Sequence, residues 1–141
     1  MLRLRNTAAA VKFRAGMPAW MEPKGAAYIE IDARPAGQIN TAFMAARDEV
    51  TMAHRVRETP EEQRAFALDW IGAIYDTCVL SWRTNLIDDT TGQVLTCDRP
   101  TFLELADVRV AEVAKAMLDF QAAILEAGQK IIDDTEATIK N

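Results

Sequence analysis

The stretch TPEEQRAFALDWIGAIYDTCVLSW, residues 59–82, decides how the chain is read. Thr59 offers an N-cap oxygen, Pro60 takes the first helical position, where a missing N–H costs nothing, and Glu62 completes a capping box. From there Phe66, Ala67, Trp70, Ile71, Ile74 and Cys78 share one face at helical spacing. The pattern predicts a helix that runs to about Ser81 or Trp82.

Upstream, Ile39, Phe43, Ala46, Val50 and Ala53 recur at steps of four, three, four and three, which predicts a second helix within residues 38–57. Residues 10–37 are punctuated by Gly16, Pro18, Pro23, Gly25, Pro35 and Gly37 around two alternating segments, Val11–Arg14 and Tyr28–Asp32. Two short strands in a hairpin or ribbon follow, and such a pair must lean on the helices for stability. Downstream, two apolar pairs bracket Asp88-Asp89-Thr90-Thr91-Gly92, the composition of a tight turn or hairpin.

Thr101 and Glu104 stand at capping-box spacing and open a further helix. Its seam, Leu103, Ala106, Val110, Val113, Met117, Phe120, Ile124, Ala127 and Ile131, alternates steps of three and four. Gly128 is a candidate C-cap, and residues 133–141 are polar enough for a frayed tail. The expected architecture is a single, mainly α domain over residues 1–141. It has three to four helices in a core over 38–132, a short N-terminal β-hairpin or ribbon within 1–37, and a polar tail at 133–141.

Composition bounds the chemistry. The 141 residues are 50% hydrophobic and 26% charged, and no run approaches the ~18 apolar residues of a membrane span. His54 and Ser81 are the sole residues of their types, and Ser81 lacks the G-x-S-x-G elbow of a hydrolase. Cys78 and Cys97 have neither metal-ligand nor redox spacing and read as buried free thiols. A calcium loop starting at Asp88 or Asp89 would need a carboxylate where Arg99 or Pro100 stands, and no phosphate-binding glycine loop occurs. The expectation is no enzyme, no metal and no cofactor.

The net charge of −5 conceals two halves. Residues 1–58 carry nine Lys/Arg against six Asp/Glu, and residues 59–141 carry seven against fifteen. That balance argues against nucleic acid, whose phosphates demand cations, and favours a protein partner or self-association. The basic start Met-Leu-Arg-Leu-Arg is followed by no continuous apolar segment, so it reads as the mature start of a cytoplasmic protein.

The seam over 103–131 serves either as an ordinary core face or as a surface shared with another chain. A second stripe, Ala114, Leu118, Ala122 and Leu125, widens the apolar arc enough for one helix to do both. Within this region Val79-Leu80-Ser81-Trp82-Arg83, the acidic glycine turn and Pro100-Thr101-Phe102-Leu103-Glu104-Leu105 follow one another in an order that resembles the tail assembly chaperones of long-tailed bacteriophages and related gene transfer agents. The likeness covers roughly residues 66–125.

The resemblance implies a small helical protein without catalytic residues, acting in the host cytoplasm and absent from the mature virion. Its partners would be the tape measure protein and the tail tube protein, with a homo-oligomer as a further expectation and with neither nucleic acid nor membrane. A holder of apolar helices offers flexible or aromatic side chains on its surface. Trp70, Trp82, Arg83, Met117, Phe120 and Ile124 are therefore the candidate partner-binding residues, with Met44 and Met52 as further apolar candidates. Trp82 is favoured, because a helix end beside Arg83 is the place where full burial is least expected. A structural or connector component, or a small inhibitor of a host factor, is the alternative function.

Overall fold

The computed structural model describes residues 10–18, 25–107 and 110–140. In chain order the elements are β1 (Val11–Gly16), β2 (Tyr28–Ala33), α1 (Thr41–Ala53), α2 (Pro60–Cys78), β3 (Val79–Thr84), α3 (Arg99–Asp107) and α4 (Ala111–Lys140). Among the described residues there are four helices and a three-stranded antiparallel sheet ordered β1-β2-β3; the helices and the N-terminal hairpin are as expected, and the third strand makes the fold mixed α and β instead of mainly α.

Alternation builds the sheet. On β2, Ile29, Ile31 and Ala33 are wholly buried while Tyr28, Glu30 and Asp32 point to the other side. Cross-strand register places Val11, Phe13 and Ala15 of β1 opposite Ala33, Ile31 and Ile29, and Trp82 and Thr84 of β3 opposite Ile31 and Ile29. One face is thus apolar. The other carries Arg14 and Arg83 on either side of Glu30.

The two N-terminal strands lie where the alternation puts them, but the third strand corrects the reading of residues 79–82 as the end of a helix. At the end of α2 the Cys78 carbonyl accepts from the Arg34 N–H at 2.7 Å and the Thr77 carbonyl from the Asn40 amide at 3.0 Å. With these orphan carbonyls satisfied from elsewhere, the chain leaves the helix without a glycine and pairs with β2. Asn40 also caps α1, its Oδ1 accepting from the Phe43 N–H at 3.0 Å. The start of α2 is as expected, with both arms of the Thr59–Glu62 capping box at 3.1 Å.

The long C-terminal helix is corrected into two. Asp98, not Thr101, caps α3, its carboxylate accepting from the Thr101 N–H at 3.0 Å. Hydrogen bonding from the Thr101 hydroxyl, with that from its N–H, holds the Asp98 carboxyl below its ordinary pKa. α3 buries Phe102 and Leu105, leaving the seam positions Leu103 and Ala106 half-buried. Separating α3 from α4 lets Phe102 enter the middle of the core, where its ring lies 5.1 Å from Tyr75, 5.5 Å from Trp82 and 6.3 Å from Phe120. Phe120 in turn meets Phe13 of β1 at 5.5 Å. A chain of aromatic contacts therefore ties the sheet to α2, α3 and α4.

Gly128 is no C-cap, and residues 133–140 are not a frayed tail, because α4 continues to Lys140. A Cβ on Gly128 would lie 1.9 Å from the Ala36 carbonyl oxygen, so glycine is what allows the segment before α1 to sit against α4. The Ala36 N–H completes that contact by donating to the Ile124 carbonyl at 3.0 Å. Beyond it the Thr135 and Thr138 hydroxyls donate to carbonyls one turn back, which keeps these polar side chains compatible with helix.

The acidic turn closes as a miniature hairpin, with Ile87 bridged to Val94 and Gly92 at φ +70° in the left-handed region. Cys78 is buried, and burial pushes its thiol pKa up. Cys97 corrects the other half of that expectation, being exposed in the link that leads from the turn to α3.

Candidate partner-binding surface

α4 carries apolar side chains on two stripes. The first, Val113, Met117, Phe120 and Ile124, faces inward and is buried. The second, Ala114, Leu118, Ala122 and Leu125, faces outward, with Leu118 64% and Leu125 44% exposed. The described residues leave most of Leu118 and nearly half of Leu125 uncovered.

Trp70 of α2 stands beside that outer stripe. Its indole N–H donates to Gln121 Oε1 of α4 at 3.1 Å, its ring stacks on Phe66 at 6.0 Å, and it meets Phe43 of α1 edge-on at 5.9 Å. An amphipathic ring is thereby fixed in place while part of it stays open to solvent. Two hollows adjoin it. One, about 320 Å³, lies between α2 and α4 and is lined by Phe66, Trp70, Ala106, Ala114 and Leu118. The other, about 560 Å³, is lined by Phe43, Met44, Trp70, Leu125 and Ile132, with Arg47 and Glu126 among its polar side chains.

The six candidate residues separate. Trp70 lies on this surface. Trp82 is only 4% exposed, because residue 82 stands on the inner face of β3 rather than at a helix end, and its Nε1–H is buried without a partner. Met117, Phe120 and Ile124 are core residues, although Met117 also reaches the wall of the smaller hollow. Arg83 is exposed on the outer sheet face and engaged, 3.1 Å from Glu30 and 3.7 Å from Asp32. Together with Arg14 it holds the Glu30 carboxyl below its ordinary pKa. Of the further methionines, Met44 lines the larger hollow and Met52 is exposed near the end of α1.

Leu118, Leu125, Phe66 and Gln121 were not among the six. The steps of four, four and three along Ala114, Leu118, Ala122 and Leu125, beside the inner stripe, are the signal in the sequence that marks the leucines. The Phe66 and Gln121 contributions depend on how α2 and α4 cross.

His54 and Ser81 are held by different elements. His54 Nε2 lies 2.5 Å from Asp69 Oδ2 across the α1–α2 pair, whereas the Ser81 hydroxyl donates to Asp32 Oδ2 on the sheet at 3.3 Å. Among the described residues no group of three or more His, Cys, Asp or Glu side chains is placed to hold a metal, and no helix is long and apolar enough to cross a membrane. Compared with known protein families, with curated proteins and with solved structures, the chain matches none.

Proposed function

We propose that this chain is a non-enzymatic tail assembly chaperone of the long-tailed bacteriophage type, one that holds the tape measure protein, promotes tail tube assembly in the host cytoplasm and is left out of the mature virion. The observation that carries the reading is the outer stripe of α4, where Leu118 and Leu125 are exposed beside the partly buried Trp70. A helix of the client, apolar along one side, would lie in the hollows next to α4 and cover these side chains, the helix-in-groove mode of recognition. Each leucine fully covered would contribute about 1.5–3 kcal/mol before the costs of association. The order of Val79–Arg83, the glycine turn and Pro100–Leu105 adds the family resemblance.

Co-expression with a tape-measure-like helical protein tests the proposal. The soluble fraction of that client should rise and the two should co-purify, and the gain should disappear with Leu118→Glu and Leu125→Glu together. A client whose solubility is unchanged and that fails to co-purify would sink the reading. Mass spectrometry of purified particles addresses the connector alternative, since finding the chain there in stoichiometric amount would favour that reading instead.

A further inference from the structure

A second groove, walled by α1 and α3 with α2 between them, has a different chemistry. It encloses about 550 Å³. Its apolar lining comes from Ala46, Val50 and Ala53 on α1, Leu68 and Ala73 on α2, and Leu103 on α3. Three of these are alanines, which let another helix come close. Five carboxylates line the same groove against a single guanidinium, that of Arg99.

Some of this charge is already answered. Arg99 is paired with Asp76 at 2.8 Å, His54 with Asp69 at 2.5 Å, and Arg64 with Asp107 at 2.5 Å. Glu49 on α1 and Glu104 on α3 make no ion pair among the described residues. An apolar trough with uncompensated negative charge on both walls selects its occupant by sign. Phosphates and anionic lipid surfaces are repelled, and a peptide carrying cations beside an apolar stripe is attracted.

We infer that this groove docks a cationic amphipathic helix of a partner protein, with the partner's apolar stripe over Val50, Ala53 and Leu103 and its Lys or Arg side chains at Glu49 and Glu104. Among the described residues no helix of a second copy fits the requirement, since α1, α2, α3 and α4 each carry more carboxylates than cations. The length of the wall sets the size of the occupant, because the 13 residues of α1 span roughly 20 Å, the length of a helix of about 13 residues. The site is walled by α1 and α3 rather than by α4, and it stands whether or not the chaperone reading does.

The test uses the full chain and a synthetic probe, an acetylated and amidated peptide of about 14 residues with leucines at i, i+3, i+4 and i+7 flanked by lysines. A scrambled peptide of the same composition and a Glu-for-Lys version serve as comparisons. The probe should bind with an affinity that falls as salt rises, and should shift the NMR signals of Val50, Ala53 and Leu103. Glu49→Gln with Glu104→Gln should weaken binding by about tenfold, the worth of two surface ion pairs. Asp134→Asn with Glu136→Gln, which removes the same charge from the far end of α4, should leave it unchanged.

No binding, equal binding of the scrambled peptide, shifts confined to Leu118 and Leu125, or an unaffected Glu49/Glu104 double variant would each overturn the proposal. Dimerisation of the free chain that the same double variant abolishes would assign the groove to a second copy and also overturn it. Failure of the Leu118/Leu125 co-expression experiment would leave this result untouched, so the two readings fail separately.

Discussion

Phe120 and Leu118 stand two residues apart on α4, yet Phe120 is fully buried between Phe13 and Phe102 while Leu118 is 64% exposed. Helical spacing alone treats their stripes alike, since each repeats apolar side chains at steps of three and four. What separates them is the neighbour. The inner stripe meets the sheet and α3, and the outer stripe borders the open hollows around Trp70. Periodicity therefore identifies residues that share a face, and the packing of other elements decides which face is covered.

The contrast is sharpest where a side chain is removed. Phe120→Ala should cost about 3–5 kcal/mol in urea unfolding, because it opens a cavity where three elements meet. A loss under 1 kcal/mol would mean that the inner stripe is not the core. Gly128→Ala comes next. Alanine favours helix over glycine by about 1 kcal/mol, but the contact with the Ala36 carbonyl is an overpacking strain of about 1–3 kcal/mol or more, so a net destabilisation is expected. A stabilised variant would show that the segment before α1 does not rest on α4.

Trp82→Phe should be milder than its lost volume suggests, within about 1 kcal/mol, because it also removes a buried N–H that has no acceptor. On the outer stripe, Leu118→Glu should change stability by no more than about 0.5 kcal/mol while affecting client binding, the reverse of Phe120→Ala. The smallest effect is electrostatic. The Glu30 and Asp98 carboxyls are held below their ordinary pKa values in the folded chain, so the stability they contribute is present above the unfolded value and is lost as pH falls through the folded one. Unfolding curves of Glu30→Gln and Asp98→Asn should accordingly be flatter than those of the parent on the acid side, and unchanged slopes would count against both pairings.

The same division between local and distant causes explains what was legible from residues alone. The start of α2 was readable because Thr59 and Glu62 satisfy each other within one turn. β1 and β2 were readable because Tyr28–Ala33 alternates residue by residue. The end of α2 was not, because the partners of its last carbonyls come from Arg34 and Asn40, far back in the chain. Trp82 was accordingly assigned to an exposed helix end, although it is a core residue of β3. On the candidate surface, Trp70 and the outer leucines were visible as pattern, whereas the Trp70–Gln121 bond and the hollows on either side of it needed the crossing of α2 and α4.

Sequence by itself determined where α2 starts, which residues alternate in β1 and β2, and that the C-terminal helical region has two apolar stripes, because capping and periodicity act over a few residues. Tertiary structure alone decided that residues 79–84 form a strand, that Gly128 is a contact rather than a terminus, and that Leu118 remains outside while Phe120 goes in. Each of those outcomes depends on a hydrogen-bond partner or a packing surface supplied by residues distant in the chain, and local pattern carries no information about where such residues will be.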